Sequence, residues 1–163
     1  RVEGIAEAAG EPVTTPVADL RRAGALLTAA YCVGLADRLA TADEIWHLGD
    51  VCEPSTLAEL EALRRPLRIV QGNCDDHPWP VVLNLTRGGV NFHLTHIPPA
   101  KVPSGTQVVL HGHTHVPRDQ TDARGVRWLN PGCITRPNRG APAAFAWLTL
   151  SRGRPPAWNP EPL

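Results

Sequence analysis

The sequence lacks several features that would assign a chain of this length to a particular class. It has no methionine, its aromatic residues are five Trp, two Phe and one Tyr, and its 16 basic and 16 acidic residues leave no net charge. Without a basic excess we expect neither extended binding of nucleic acid nor electrostatic attachment to an anionic membrane. No apolar run approaches the roughly 20 residues of a membrane span, and no stretch has the pattern of a secretory leader.

The cysteines are few and match no common metal or disulfide pattern. Cys32, Cys52, Cys74 and Cys133 are too far apart for a CxxC zinc motif and too sparse for a disulfide scaffold. We therefore expect reduced, mostly buried thiols and a cytoplasmic protein, with chance disulfides or a reactive thiol as the alternatives.

The length and the order of the expected elements indicate a single α/β domain covering residues 1–163. Residues 18–42 and 54–65 have helical periodicity, and the segments 81–85 and 90–94 form a predicted hairpin. Residues 1–6 are a weak candidate for a first strand. The segment 11–17 contains two prolines and is predicted to be a loop, and the proline-rich tail 152–163 is predicted to wrap the surface. The remaining predicted strands are 44–48, 67–70, 107–110, 125–129 and 143–150.

Four predicted strands each end in a side chain that can bind a metal ion. Asp50 follows EIWHLG, Asn73 follows LRIVQG, His96 follows VNFHLT, and His113 follows QVVLHG with His115 two residues on. Sites in α/β sheets form at the carboxyl ends of the strands, where these side chains would meet. Carboxylate, amide and imidazole ligands together suit Mn²⁺, Fe or Zn²⁺ better than Ca²⁺.

Each of these residues has an ordinary explanation when it is taken alone. A single histidine is more often a surface or satisfied core residue than a ligand, and Gly-Asp after a strand is a common turn. We assign no functional role to His47, His77 or His93. The occurrence of all the candidate ligands at strand ends, in one order, is what favours a metal site.

The motifs GD at 49–50, GNCD at 72–75, TH at 95–96, GHTH at 112–115 and NPG at 130–132 resemble those of the calcineurin-like metallophosphoesterases, particularly their small bacterial and archaeal phosphodiesterases. The resemblance implies two packed mixed β-sheets flanked by helices, in a four-layer α-β-β-α sandwich. It also implies one or two divalent transition-metal ions, with Mn²⁺ favoured over Fe, Zn²⁺, Ni²⁺ and Co²⁺. The resemblance further implies a small-molecule phosphoester as substrate and a homodimer as the oligomeric state.

The resemblance also implies a role for each candidate ligand. Asp50 would bridge both metal ions, Asn73, His96 and His113 would complete the second site, and His115 would belong to the first. Asp50 and Asn73 would also serve catalysis, since a metal-bound hydroxide attacks phosphorus in such two-metal sites.

The first motif of the family is where the sequence departs from the pattern. The family's first strand ends in Asp-x-His, and we align this motif with residues 5–10, which places Glu7 at the Asp position and Ala9 at the His position. Alanine cannot ligate a metal, whereas glutamate can through a longer side chain. The expected first site is therefore weakened and is held by Asp50, His115 and Glu7.

Two function classes follow from these observations. The first is a metal-dependent phosphoesterase that hydrolyses phosphodiesters. The second is a catalytically impaired member that serves as a protein-binding scaffold, as a retromer subunit of the same fold does. A zinc hydrolase of another kind is a third alternative.

Overall fold

The structure is a computed structural model that describes residues 13–18 and 34–163. Within these residues the chain forms two five-stranded β-sheets and two helical segments. The helical segments are α1, of which residues 34–39 are described, and α2 (Pro54–Ala62). The strands are β1 (Val13–Ala18), β2 (Ile45–His47), β3 (Leu67–Ile69), β4 (Val82–Arg87), β5 (Val90–Thr95), β6 (Val108–His111), β7 (Arg118–Thr121), β8 (Arg127–Asn130), β9 (Ala144–Leu150) and β10 (Ala157–Pro162).

Each sheet has a parallel part extended by antiparallel strands. The first sheet has the order β10-β9-β1-β2-β3, in which β1, β2 and β3 are parallel. The second has the order β4-β5-β6-β8-β7, in which β5, β6 and β8 are parallel and the two edge strands are antiparallel. The predicted fold of two mixed sheets flanked by helices is confirmed.

The main core lies between the two sheets. Trp46 and Leu48 from the first sheet pack with Phe92 and Leu110 from the second, and all four side chains are buried. Burial of this apolar surface holds the sheets face to face. Alternation along β2 sends Ile45 to the opposite face, where it packs with residues of the helices, Leu39 and Leu60 among them.

The outer face of the second sheet is covered differently. Val109 and Trp128 form a small cluster there, and Val102 from the connection between β5 and β6 packs against them. Both helices of the described chain therefore serve the first sheet, which carries Asp50 and Asn73 at its strand ends.

The predicted loop at residues 11–17 is wrong, because β1 occupies Val13–Ala18. In its register Pro16 lies opposite Trp147 of β9, whereas β2 pairs only with Val17 and Ala18. Pro16 thus has a strand on one side only, which is where the missing N–H of proline is tolerated.

The predicted surface wrap of the tail is also wrong, because β10 pairs antiparallel with β9 along Ala157–Pro162. Its prolines are compatible with a strand at the sheet edge. The short strand β7 was not predicted. The predicted helix at 18–42 is borne out at residues 34–39, although Ala18 belongs to β1. The weak strand at 1–6 lies outside the described residues.

The described thiols differ from the expectation. Cys133 is buried as predicted, but Cys52 and Cys74 are exposed, so the expectation of buried thiols is wrong for them. Both follow candidate ligands in loops at the sheet edge, which explains their exposure. Cys32 lies outside the described residues. No helix in the described ranges is long and apolar enough to span a membrane.

Candidate metal centre

Four of the predicted ligands come together at the carboxyl ends of four strands. Asp50 and Asn73 follow the neighbouring parallel strands β2 and β3, while His96 and His113 follow the neighbouring parallel strands β5 and β6. The His96 Nε2 atom lies 3.2 Å from Asp50 Oδ2, 3.0 Å from Asn73 Oδ1 and 3.3 Å from His113 Nδ1. The two sheets therefore each supply two ligands to one small volume.

The hydrogen bond of His96 fixes its tautomer. Its Nδ1 lies 2.7 Å from the carbonyl oxygen of Leu48, which can only accept, so Nδ1 carries the hydrogen and donates it. In the neutral ring, Nε2 then directs a lone pair at the oxygens of Asp50 and Asn73. Electron-rich atoms at such a spacing repel one another unless a cation or a proton lies between them.

The distances from His96 Nε2 to its three neighbours are those of ligands bound side by side to a metal ion. Two ligands that bind an ion at about 2.1 Å are about 3.0–3.4 Å apart when the angle between them is octahedral or tetrahedral. The three distances from His96 Nε2, 3.0, 3.2 and 3.3 Å, lie in this range. The set of one carboxylate, one amide and two imidazoles suits a divalent transition metal. The donor set therefore fits the predicted metal, and its role as ligand stays a prediction.

The amide of Asn73 is oriented by its neighbours. Its Nδ2 donates to Cys74 Sγ at 3.3 Å, and its Oδ1 lies 2.9 Å from His113 Nδ1. The acceptor end of the amide therefore faces the centre and the donor end faces away from it. Cys74 thus has a role in orienting Asn73 that the sequence did not indicate.

The close approach of the Asp50 and Asn73 loops depends on glycine. A Cβ placed on Gly72 would lie 2.1 Å from Asp50 N and 2.3 Å from Asp50 Oδ1. A Cβ on Gly49, whose φ is +89°, would lie 2.7 Å from Gly72 N. Glycine at these two positions therefore permits the close approach of the two ligand-bearing loops.

A Gly72→Ala substitution should therefore displace Asp50 and lower bound metal per chain by about tenfold, the scale on which disturbed ligand support reduces metal affinity. Gly34→Ala is the matched control, because a Cβ there meets no atom within 4 Å. Elemental analysis of Mn²⁺-loaded protein checks this. Equal metal content in the two variants would contradict the packing argument.

Asp75 ties the ligand-bearing loops together. Its Oδ2 accepts hydrogen bonds from the backbone N–H groups of Asp50 (2.8 Å) and Gly72 (2.7 Å), and its Oδ1 accepts one from Cys52 (3.0 Å). One carboxylate thus fixes the loop after β2 against the loop after β3. Sequence reasoning assigned no role to this residue, although its position in GNCD was a signal that could have found it.

The loop that carries His113 and His115 has an unusual backbone conformation. Both histidines have left-handed φ values, 65° and 57°. His115 Nδ1 donates to the Arg136 carbonyl at 2.7 Å, so the buried Nε2 keeps its lone pair in the neutral ring. His115 is thus in the tautomer that metal ligation through Nε2 requires.

Asn130, from the NPG motif, holds this loop in place. It is fully buried, and its Nδ2 donates to Gly112 O at 3.0 Å and to Thr114 Oγ1 at 3.1 Å. The sequence pointed to this motif only through the family resemblance. The contacts give it a physical role, which is to support the GHTH turn from β8.

The position of β1 bears on the alignment of the first motif. On the side away from β3, β2 pairs in parallel with Val13–Ala18, which favours an alignment of the family's first strand there over residues 5–10. Ala18 pairs with His47, three residues before Asp50, and the next residue in the sequence is Asp19. Asp19 thus meets the criterion that identified the other ligands, a polar residue directly after a strand. Glu7, Ala9 and Asp19 all lie outside the described residues.

Two buried histidines near the centre have strongly lowered pKa values. Burial lowers the pKa of His47 to about 4, with nearby Asp75 opposing the shift and His96 adding to it. Burial also lowers the pKa of His111 to about 4, opposed by its hydrogen bond to Gly112 O. His47 Nδ1 accepts from the Gly49 N–H at 3.1 Å, so this neutral ring supports the turn before Asp50.

These pKa values predict that the metal-free protein loses stability as pH falls from about 6.5 to 4. Between these pH values the two histidines are protonated in the unfolded chain and neutral in the folded chain, so the free energy of unfolding decreases on acidification. Above about pH 6.5 both states are neutral at these positions, and the two histidines no longer affect the free energy of unfolding. Between pH 6.5 and 5 the loss is up to about 2 kcal/mol per histidine. Urea unfolding in EDTA at several pH values checks this. The variant His47→Gln should make the free energy of unfolding depend less steeply on pH. An unchanged pH dependence would contradict the lowered pKa of His47.

Comparison with known proteins agrees with this architecture. The profile of the calcineurin-like phosphoesterase superfamily domain matches residues 17–153. No curated protein matches significantly. The structure of YfcE, described as a phosphoesterase from E. coli, superimposes with a TM-score of 0.68 at 23% identity, covering 83% of this chain and 88% of that one.

Two further solved structures share the fold. One is described as a novel archaeal phosphodiesterase, with a TM-score of 0.72 at 16% identity and coverage of 93% of this chain and 100% of that chain. The other is wild-type Vps29 of Entamoeba histolytica complexed with zinc, with a TM-score of 0.61 at 19% identity and coverage of 93% and 98%. The family profile spans most of the sequence, and its motifs occupy the strand ends where the ligands converge. The chain therefore belongs to the calcineurin-like phosphoesterase superfamily.

Proposed function

We propose that the protein is a metal-dependent phosphodiesterase whose centre is formed by Asp50, Asn73, His96 and His113. The observation that supports this proposal is the convergence of three ligand atoms within 3.3 Å of His96 Nε2. A divalent cation held there would act as a Lewis acid on the phosphoryl group and would lower the pKa of an attacking water. Mn²⁺ is the ion we favour.

The remaining ligands are assigned to a second ion that shares Asp50. His115 has the appropriate tautomer, and Asp19 replaces Glu7 in our assignment because it directly follows β1. The residue two positions after Asp19 is Arg21, whereas the family motif has histidine there. The first site thus retains a carboxylate and lacks one imidazole. We therefore still expect it to bind its ion more weakly than the second site does.

The chain's own residues prepare the centre in two ways. The Leu48 carbonyl holds His96 with its lone pair inward, and Cys74 holds Asn73 with its amide oxygen inward. These contacts orient the ligands before an ion binds, so less order has to be created on binding.

A cavity beside the centre supports a small-molecule diester as substrate. It has a volume of about 230 Å³, and Val51 and Cys52 in its wall directly follow Asp50. Leu57 and Trp79 make its lining largely apolar. An ester group of the substrate could occupy this cavity while the phosphoryl group lies at the centre.

Turnover of bis(p-nitrophenyl) phosphate tests the proposal. We expect activity with Mn²⁺, no activity in EDTA, and a loss of at least about 100-fold in kcat/KM for His113→Ala. His93→Ala is the matched control, because His93 is hydrogen-bonded to Asn84 on β4 and does not line the cavity. Slower cleavage of p-nitrophenyl phosphate would support a preference for diesters.

A protein-binding scaffold is the second candidate, and the similarity to Vps29 structures favours it. Complete absence of phosphoester turnover in a folded, Mn²⁺-loaded protein would contradict the phosphodiesterase proposal. The scaffold would then be the better interpretation of the same fold.

A further inference from the structure

Two thiols lie beside Asp50, and neither is a ligand of the centre proposed above. The Sγ atoms of Cys52 and Cys74 and a carboxylate oxygen of Asp50 all lie within 4.8 Å of one another. Both cysteines are exposed, whereas Asp50 is fully buried. We propose that Cys52, Cys74 and Asp50 form a binding site for a thiophilic divalent cation such as Zn²⁺ or Cd²⁺.

The backbone places the two thiols together from separate loops. Cys52 follows β2 and has a left-handed φ of 58°, and its N–H donates to Asp75 Oδ1 at 3.0 Å. Cys74 follows β3, and its N–H donates to Asp50 Oδ1 at 2.8 Å. The hydrogen bonds that fix the two ligand loops therefore also fix the two cysteines, so the site is organised without an ion.

The spacing is compatible with ligation of one metal ion by both thiols. Two sulfurs bound to one tetrahedral Zn²⁺ at about 2.3 Å lie about 3.8 Å apart, so the thiols need to approach by no more than about 1 Å. A disulfide has an S–S length of about 2.05 Å and would require an approach of up to about 2.7 Å by groups held in two fixed loops. The carboxylate oxygen provides the third ligand, and a solvent molecule can complete the tetrahedron.

The ligand chemistry separates this site from the histidine centre. Thiolates select thiophilic ions, while the oxygen and nitrogen ligands of Asn73, His96 and His113 also accept Mn²⁺. The two positions share Asp50, whose Oδ2 faces His96 and whose Oδ1 accepts the Cys74 N–H. A thiophilic ion would therefore compete for a carboxylate on which the histidine centre depends.

Cadmium titration of the reduced, metal-free chain tests the proposal. Sulfur-to-cadmium charge transfer gives an ultraviolet absorption that reports thiolate ligation directly. We expect this absorption in the wild-type protein, and an apparent Cd²⁺ affinity lowered at least about tenfold by Cys52→Ser or Cys74→Ser. Cys133→Ser is the control, because it removes a buried thiol away from this cluster. Far-UV circular dichroism verifies that each variant is folded.

The outcome is independent of phosphodiester turnover. In a His113→Ala variant the charge-transfer absorption should persist, even though the proposed hydrolytic centre is damaged. An absent absorption in the wild-type protein would overturn the thiol site, as would one that survives in the Cys52→Ser/Cys74→Ser double variant. Failure of the phosphodiesterase proposal would instead appear as missing turnover with the charge-transfer absorption intact.

Discussion

Replacing Asp50 with asparagine should lower kcat/KM for phosphodiester hydrolysis by about 10³-fold or more, which corresponds to about 4 kcal/mol of barrier. The carboxylate is fully buried, lies 3.2 Å from His96 Nε2, and is the ligand shared by both proposed ions. Asparagine keeps the size of the side chain but removes the negative charge that compensates the cations. Metal per chain, measured by elemental analysis, should fall with the rate.

The control for this substitution is Asp37→Asn, which makes the same change of charge at an exposed residue of α1 that does not line the cavity. It should leave metal content and kcat/KM within about twofold of the wild type. If Asp50→Asn kept both quantities at wild-type levels, the assignment of the centre would be wrong. If both variants lost activity equally, a general effect of the lost negative charge rather than ligation would be responsible.

The part of the centre that could be predicted from the sequence is the part encoded by local pattern. Asp50, Asn73, His96 and His113 each follow a short apolar strand, and parallel strands bring their ends to one edge. The structure accordingly brings these four residues together. The short connection Thr86-Arg87-Gly88-Gly89 between two apolar segments also predicted the hairpin of β4 and β5, which packs against the core.

The strands that could not be predicted from the sequence depend on pairing between distant segments. Prolines at 16, 160 and 162 argue locally against strands, yet β1 and β10 form because β9 offers a partner along its length. Whether a proline lies at an edge or in the centre of a sheet is decided by tertiary structure. Because residues 11–17 have the local pattern of a loop, the sequence favoured residues 5–10 for the first motif, whereas β1 favours the position after Ala18.

The roles of the residues that position the ligands could also not be predicted from the sequence alone. Asp75 accepts three backbone N–H groups, from residues 3 to 25 positions away, and such a role has no local pattern. The same is true of Asn130, which holds the GHTH turn from β8. Both residues do stand in recognisable motifs, but a motif alone does not distinguish a ligand from a residue that positions one.

The alignment of the first motif after Ala18 leads to the second large effect, a contrast between two acidic residues near the N-terminus. Asp19→Asn should lower kcat/KM for phosphodiester hydrolysis by at least about 100-fold and reduce metal at the weaker position, because Asp19 follows the strand that pairs with β2. Glu7→Gln should change neither quantity by more than about twofold, since Glu7 precedes β1 altogether.

Measurement of kcat/KM and metal per chain for both variants, prepared side by side with wild type, decides between the two alignments. A large loss confined to Glu7→Gln would restore the alignment at residues 5–10 and remove Asp19 from the site. Equal activity in all three proteins would mean that the first position contributes nothing to turnover. Catalysis would then rest on the single ion held by Asp50, Asn73, His96 and His113, and replacing Arg21 with histidine would be the way to add the second.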